Sequence, residues 1–414
     1  MVVGTVIGAS IFVQPSEITR QLPSVTAIVL AWVGAGALTL CGALVCAELA
    51  SAYPQTGGVY VFLREAYSPA AGFLWGWAML WSMHSGIIAA IATVFARYAA
   101  VFVPMGDIGL RATAVGLVLV LSAVNYTGLR AGSLVQTTFT GAKLLAIAAI
   151  VIAGMLWSGH ASAPVEVTTP ASVRGFLLAM AAGLFAFGGW HMVTYTAGET
   201  RDAASTIPRA LVLGTLIVTA SYAGLNAVYL RVLPLDMVRT STHVAADAAD
   251  VFLGGGGARL MAGLVLVSSF GAVNGIILVG PRVYYSMARD GLIFRWLGDV
   301  HPTFRTPHRA LVAQAMVSSA LAATNTYGVL FGRVIYTEWI FFAAMTYGLV
   351  RLRRRPDYQP SFRVWAYPFV PIAFIVASMA IVVTQISSNP TDSAIGLGLV
   401  LLGLPVYWRW SRHS

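Results

Sequence analysis

The chain has 414 residues, of which 58% are hydrophobic and only 10% charged, with a net charge of +10. An average soluble chain carries roughly 25% charged residues, so this one cannot cover a water-facing surface, and a water-soluble globular domain is excluded. Apolar runs of about 17–25 residues, the length that crosses a bilayer, recur along the whole sequence and predict an all-α polytopic membrane protein.

Taken in chain order, twelve spans are expected at roughly 1–13, 25–47, 71–96, 112–129, 134–157, 175–198, 209–230, 260–286, 309–324, 327–350, 367–386 and 394–410. With the amino terminus inside, the cytoplasmic loops and tail hold fifteen arginines and the outer loops and helix ends hold eight. Retention of basic residues on the cytoplasmic side is the topology rule for such chains. It accounts for the positive charge without a nucleic-acid partner, and it places both termini in the cytoplasm. The apolar start has no basic flank, so no cleavable signal peptide is expected.

The first span reads GTVIGASIF over residues 4–12 and the sixth reads GLFAFGGWH over 183–191. Each sets glycines inside an apolar run where a continuous helix prefers Ala or Leu. Glycine is common in membrane helices and often serves close packing, but here each interrupted span opens a set of five. Two five-helix sets led by broken helices predict an inverted-repeat transporter fold. The first set covers 1–157, the second 175–350, and two peripheral helices lie at 365–410, all in a single membrane domain. Met1 stands close before the first break, so the half-helix leading to it is nearly absent. A start codon assigned too late, or a shortened chain, is the expected explanation.

A broken helix frees backbone groups at membrane depth, and it is tolerated only where it faces a cavity. The amino end of a half-helix offers N–H groups and a partial positive charge to a carboxylate. Carbonyls of the opposing end suit an ammonium. The pair fits a zwitterion, of which a free α-amino acid is the simplest. Candidate substrate contacts are Val6, Ile7, Gly8, Ala9, Ser10 and Ile11 from the first break and Phe185, Ala186, Phe187 and Gly188 from the second. Ordinary helix packing is the competing reading for Phe185, Phe187 and Trp190.

Few other polar residues lie at membrane depth. Cys41 and Cys46 have neither CxxC nor His spacing, so they read as small core residues, and no metal or cofactor is expected. His84 either lines the cavity or bonds a neighbouring helix. Glu48 and Glu199 stand near cytoplasmic helix ends, within expected reach of Arg64 or Arg201. Glu338, in the tenth span, is a candidate proton carrier or the partner of a neighbour. Lys143, the one lysine of the chain, sits inside the fifth span. A charged Lys there costs about 2.5–3.5 kcal/mol on insertion scales, so it must face the protein interior. RLRRRPDYQP at 351–360 can attract anionic lipid headgroups, though a plain stop-transfer flank is the preferred reading.

Several stretches together resemble the amino acid–polyamine–organocation superfamily, and within it the L-type amino-acid transporters and their bacterial relatives. These are GTVIGASIFVQPS, YPQTGGVYVFLREAYSP (53–69), FAFGGWHMVTYTAGETRDAASTIPRAL (185–211), GPRVYYSMARDG (280–291) with HPTFRTPHRAL (301–311), and EWIFFAAMTYGLVRLRRRPDYQP (338–360). The resemblance runs over nearly the whole chain in one order. It implies the five-plus-five fold with two further helices, and alternating-access transport of amino acids across the cell membrane. It places Gly8, Ala9 and Ser10 at the turn that binds the substrate carboxylate, with Phe185 and Trp190 as gating aromatics. Here the sequence departs from the family pattern, since the hydroxyl has moved from the middle of that turn to Ser10. The resemblance also implies that Lys143 stands where sodium-coupled relatives hold Na⁺, bonded to carbonyls of the first break, with Ser268 or Ser269 beside it.

The function so implied is sodium-independent amino-acid transport, by proton symport or by exchange. The cavity side chains Phe185, Phe187, Trp190 and His84, with no acid among them, favour neutral or apolar substrates. A non-transporting amino-acid sensor of the same fold, or a cationic amino-acid or polyamine antiporter, are the alternatives. HExxH, GxSxG and P-loop patterns are absent, so an enzyme is not expected.

Overall fold

A computed structural model describes residues 1–22, 24–157, 159 and 172–411, without the side chains of 129–133, 135 and 411. Most of the segment between the fifth and sixth expected spans therefore lies outside the described residues. The described residues contain helices and no strand.

The chain opens with α1 (Val2–Val6), a 3₁₀ turn (Ser10–Phe12) and α2 (Gln14–Gln21). Pro15 lies in the first turn of α2, where its missing N–H would have no helical partner. Then come α3 (Val25–Ala52), α4 (Val59–Ala66), α5 (Pro69–Trp81), α6 (Met83–Ala99), α7 (Asp107–Tyr126) and α8 (Leu129–Leu156). The second half runs through α9 (Val173–Ala186), a 3₁₀ segment (Trp190–Glu199), α10 (Ala203–Val232), α11 (Leu235–Thr240), α12 (Val244–Leu253), α13 (Gly257–Val279), α14 (Pro281–Arg289), α15 (His308–Thr324) and α16 (Tyr327–Leu352). The chain closes with α17 (Phe369–Ser388), α18 (Pro390–Leu401) and α19 (Gly403–Ser411). Side-chain caps fix two starts: Ser24 accepts the Ala27 amide at 3.2 Å and Ser172 accepts the Gly175 amide at 3.0 Å.

Among the described residues, ten helical stretches are long and apolar enough to cross a membrane. The expected spans at 1–13 and 309–324 appear as shorter pieces, α1 with the turn after it and the 17-residue α15. Several spans also bend where the sequence suggested straight helices. One bends at Ser82 between α5 and α6, and another at Gly280 before Pro281, which has no amide proton to continue the ladder.

Burial separates the centre from the rim. Of an apolar 18-residue segment within 69–99, 83% is buried, and of one within 257–289, 72%, whereas the corresponding segments of 107–126 and 136–156 are only 28% and 22% buried. The first pair therefore packs on all sides, while α7 and α8 turn most of their apolar surface outward to lipid. Around the centre, α10 packs along α3, α13 against α6 and α8, and α16 against α6 and α17.

Ion pairs close the helix ends, in pairings that differ from the expected ones. Arg64 meets Asp290 and Glu65, Arg282 meets Glu199 through two bonds of 3.0 and 3.1 Å, and Glu48 meets Arg353. Partners far apart in sequence were brought together by helix packing, which sequence proximity cannot rank. The Tyr60 hydroxyl donates to Asp290 at 2.6 Å; burial and then this carboxylate push the phenol above its ordinary range.

Glu48 is fully buried, and its oxygens accept from Arg353 Nε at 2.8 Å, Arg353 Nη2 at 2.5 Å and the Val364 amide at 2.7 Å. Removing the guanidinium strands a buried carboxylate. Arg353→Ala is expected to cost about 3–5 kcal/mol, read as a lowered thermal midpoint in detergent. Arg354→Ala, at its exposed neighbour, should stay within about 0.5 kcal/mol of the parent.

Candidate functional site: two helix breaks around a small cavity

The first break begins where Ile7 leaves helical geometry, with φ −72° and ψ 88°. Gly8 N then donates back to Val6 O at 2.8 Å, and helical bonding resumes when Phe12 N reaches Ala9 O at 3.0 Å. The amides of Ala9, Ser10 and Ile11 precede that bond and have no carbonyl of their own turn to donate to. The second break follows Ala186. Gly188 N donates to Phe185 O at 3.0 Å, and Gly189 takes φ 97°, a left-handed conformation that any other residue would enter only under strain. Beyond it the chain continues as a 3₁₀ segment, where the sequence suggested an α-helix.

Four side chains from other helices answer the carbonyls so exposed. Lys143 of α8, 2% exposed, donates to Ile7 O at 2.5 Å, Gly4 O at 3.0 Å and Ser268 O at 3.4 Å. An ammonium has three donors, and here three carbonyls receive them. Ser268 Oγ of α13 lies 3.4 and 3.3 Å from the Ile7 and Gly8 carbonyls. Tyr222 of α10 links the two breaks, its hydroxyl 3.0 Å from Val6 O and 2.9 Å from Ala186 O. Thr5 Oγ1 also reaches across, 3.3 Å from Gly189 O. The close approach of α1 to α8 depends on Gly4, where a Cβ would lie 2.2 Å from Thr140 Oγ1 and 2.4 Å from Gln136 Nε2.

Between the breaks lies a small cavity. Of the residues expected to contact substrate, Val6, Gly8, Ser10, Phe185 and Gly188 line it. Ile7, Ala9 and Ile11 are buried, and among the described lining residues they and Ala186 are absent. Phe187 turns away from the cavity and packs on Tyr222 and Trp32, at ring separations of 4.9 and 6.4 Å. Phe185 meets Phe331 of α16 edge-on at 4.9 Å, so it closes one side of the cavity. Trp190 and His84 stand behind the lining, next to His191. Ser269 faces its own helix, bonding Val265 O at 2.5 Å, so Ser268 alone of the two serines meets the break.

Glu338 does line the cavity, which corrects the expectation of an acid-free wall. It comes from the tenth expected span, which sequence order sets far from both breaks. Thr5, Ile87, Ile91, Met192 and Ile276 complete the lining and were not anticipated, since aliphatic side chains in a membrane helix carry no mark of which face they occupy. Tyr222 was missed too, being one of several hydroxyl-bearing residues in its span, with Thr215, Thr219, Ser221 and Tyr229. The enclosure thus offers backbone N–H and hydroxyl donors, one carboxyl group and apolar walls. That set suits a small polar molecule with an apolar side chain.

A small cavity between two discontinuous helices, in a chain with ten stretches long and apolar enough to cross a membrane among its described residues, fits a multi-pass membrane permease. The sequence profile of the amino acid permease family matches residues 1–403, and the chain belongs to that family, within the amino acid–polyamine–organocation superfamily. It is 32% identical over 418 residues to the serine/threonine exchanger SteT of Bacillus subtilis (strain 168), covering 100% of this chain and 95% of that one. The large neutral amino acids transporter small subunit 2 of Oryctolagus cuniculus is 30% identical over 423 residues, 99% of this chain and 78% of its own. The Asc-type amino acid transporter 1 of Homo sapiens is 29% identical over 423 residues, with 99% and 80% covered.

Because one Tyr222 proton serves carbonyls of both breaks, Tyr222→Phe leaves two buried acceptors short of a donor. The expected loss is about 1–3 kcal/mol of stability. Differential scanning fluorimetry of the purified protein checks it; an unchanged midpoint counts against the bridge.

Proposed function

We propose that this protein is a sodium-independent secondary transporter of neutral or apolar amino acids, working by alternating access as a proton symporter or an exchanger. Residues 1–157 and 175–350 are read as two inverted five-helix repeats and 365–410 as peripheral helices. The twelve spans sit in the plasma or inner membrane with both termini cytoplasmic. The amides of Ala9, Ser10 and Ile11 receive the substrate carboxylate, and carbonyls at the second break receive its ammonium. Phe185 gates one side.

One observation carries this reading. The Lys143 ammonium bonds carbonyls of the first break and of α13 together, so a fixed positive charge holds two helices where a metal cation would otherwise be needed. No external ion has to bind for the site to form. The neutral preference is supported by the aliphatic lining and by relatives named for serine, threonine and large neutral amino acids. Glu338 on the cavity wall favours a second reading, a cationic amino acid, because a carboxylate there would pair with a basic side chain.

Uptake of radiolabelled L-serine, L-threonine and L-leucine into proteoliposomes tests these points. Uptake should be equal in sodium and choline media. Lys143→Ala should fall below about a tenth of the parent rate while the protein remains folded. Excess L-arginine should leave uptake intact; strong competition by it selects the second reading, and sodium dependence overturns the Lys143 argument.

A further inference from the structure

Beside the substrate cavity, on the side of the Glu199–Arg282 pair, lies a polar cluster that binding of an amino acid does not use. His84 of α6 and His191 of the 3₁₀ segment are both fully buried, with ring centres 6.4 Å apart. The Tyr195 ring lies 5.5 Å from each. Among the described residues, all four imidazole nitrogens, the Tyr195 hydroxyl and Glu338 Oε1 lack a hydrogen-bond partner. Gly280 stands where α13 meets α14. A Cβ there would be 3.1 Å from His84 Nδ1 and 2.1 Å from Gln314 Oε1, another oxygen without a partner, so Gln314 and His84 already occupy the position a side chain would take.

A neutral imidazole carries one donor and one acceptor, and buried polar groups of this kind are normally satisfied by protein or by water. Six such atoms gathered in one place argue for a bound species small enough to reach them all. An amino acid does not fit, because Trp75, Trp190 and Phe342 crowd the His191 ring at centre distances of 5.8, 5.4 and 4.8 Å. The titratable groups that act on Tyr195, on the same segment as His191, are Glu338 of α16, Cys46 of α3 and Tyr284 of α14; His191 faces His84. Toward it α5 presents Trp75 and α15 presents Gln314. Neither imidazole has a carboxylate or guanidinium partner among the described residues.

Glu338 joins the two regions. Its carboxyl is on the wall of the substrate cavity, and Phe342, one helical turn further along α16, lies against His191. We propose that Glu338, Tyr195, His191 and His84 form a hydrated proton relay that couples amino-acid transport to proton movement, which makes the protein a symporter. This rests on the transport reading above and narrows it. A proton entering with the substrate protonates the Glu338 carboxylate. It then passes through the Tyr195 hydroxyl or a bridging water to one imidazole, leaving Glu338 ionised and the pair holding a single positive charge. Opening of the side closed by Glu199 and Arg282 admits cytoplasmic water, to which the imidazolium gives up the proton.

The test uses the full chain in proteoliposomes with pyranine inside, given L-serine, L-threonine or L-leucine. Wild type should acidify the lumen as substrate enters, and an inward gradient of about one pH unit should drive accumulation. The double variant His84→Gln with His191→Gln should keep counterflow exchange within about twofold of wild type and lose proton-driven accumulation by about tenfold or more. Should the double variant fail to fold, the single variant His84→Asn and the wild-type dye signal carry the decision. Amino-acid exchange by wild type with no change of lumenal pH overturns the relay and leaves the transport reading standing. Proton-driven accumulation retained in the histidine variants also overturns it. A wild-type protein that neither binds nor moves any of these amino acids overturns both.

Discussion

Backbone carbonyls and amides have no water to turn to inside a bilayer, so a chain that interrupts a helix at that depth must answer each freed group with another part of itself or with a ligand. Here two interruptions meet at one level, and the rest of the molecule is arranged around answering them. Lys143, Ser268, Tyr222 and Thr5 come from four different helices and converge on the carbonyls of residues 4, 6, 7, 8, 186 and 189. The amides of Ala9–Ile11 are left without a carbonyl of their own turn to bond. In the transport reading proposed above, stability and binding draw on the same set of groups.

The packing supports that arrangement at a distance. Helices α6 and α13 are enclosed on nearly all sides, so the groups they present to the cavity are held in place by tight contacts and not by loop conformation. At the far ends, Glu48 with Arg353, Glu199 with Arg282 and Tyr60 with Asp290 fasten segments remote in sequence. Pairs of this kind are strong when closed and dispensable when water enters, which fits the alternating-access mechanism proposed above. Phe185, wedged against Phe331 and Tyr327, supplies an apolar closure on the opposite side of the cavity.

Much of this was legible in the residues. Charge scarcity and recurrent apolar runs sufficed for the class of protein, and the glycines of GTVIGASIF and GLFAFGGWH marked both interruptions to within a residue or two. Lys143 was identifiable because an isolated cation is too costly at membrane depth to be incidental. The choice of Ser268 over Ser269 was not, because adjacent residues on a helix point about a quarter-turn apart and nothing in a single sequence fixes that rotation. The same applies to Phe187, which shares its stretch with Phe185 but packs behind the break, and to Glu338, whose inward direction depends on how α16 is rotated against α6.

The sequence by itself determined where the helices run, where two of them break and which rare polar residues had to be buried. Those properties follow from local propensity and from the cost of charge in hydrocarbon, both of which are read residue by residue. Tertiary structure alone decided which carbonyl Lys143 answers, that a single Tyr222 hydroxyl spans both breaks, and that His84, His191 and Tyr195 gather beside Glu338. These depend on the rotation and translation of helices far apart in the chain, set by the summed packing of many apolar side chains whose individual preferences are nearly equal.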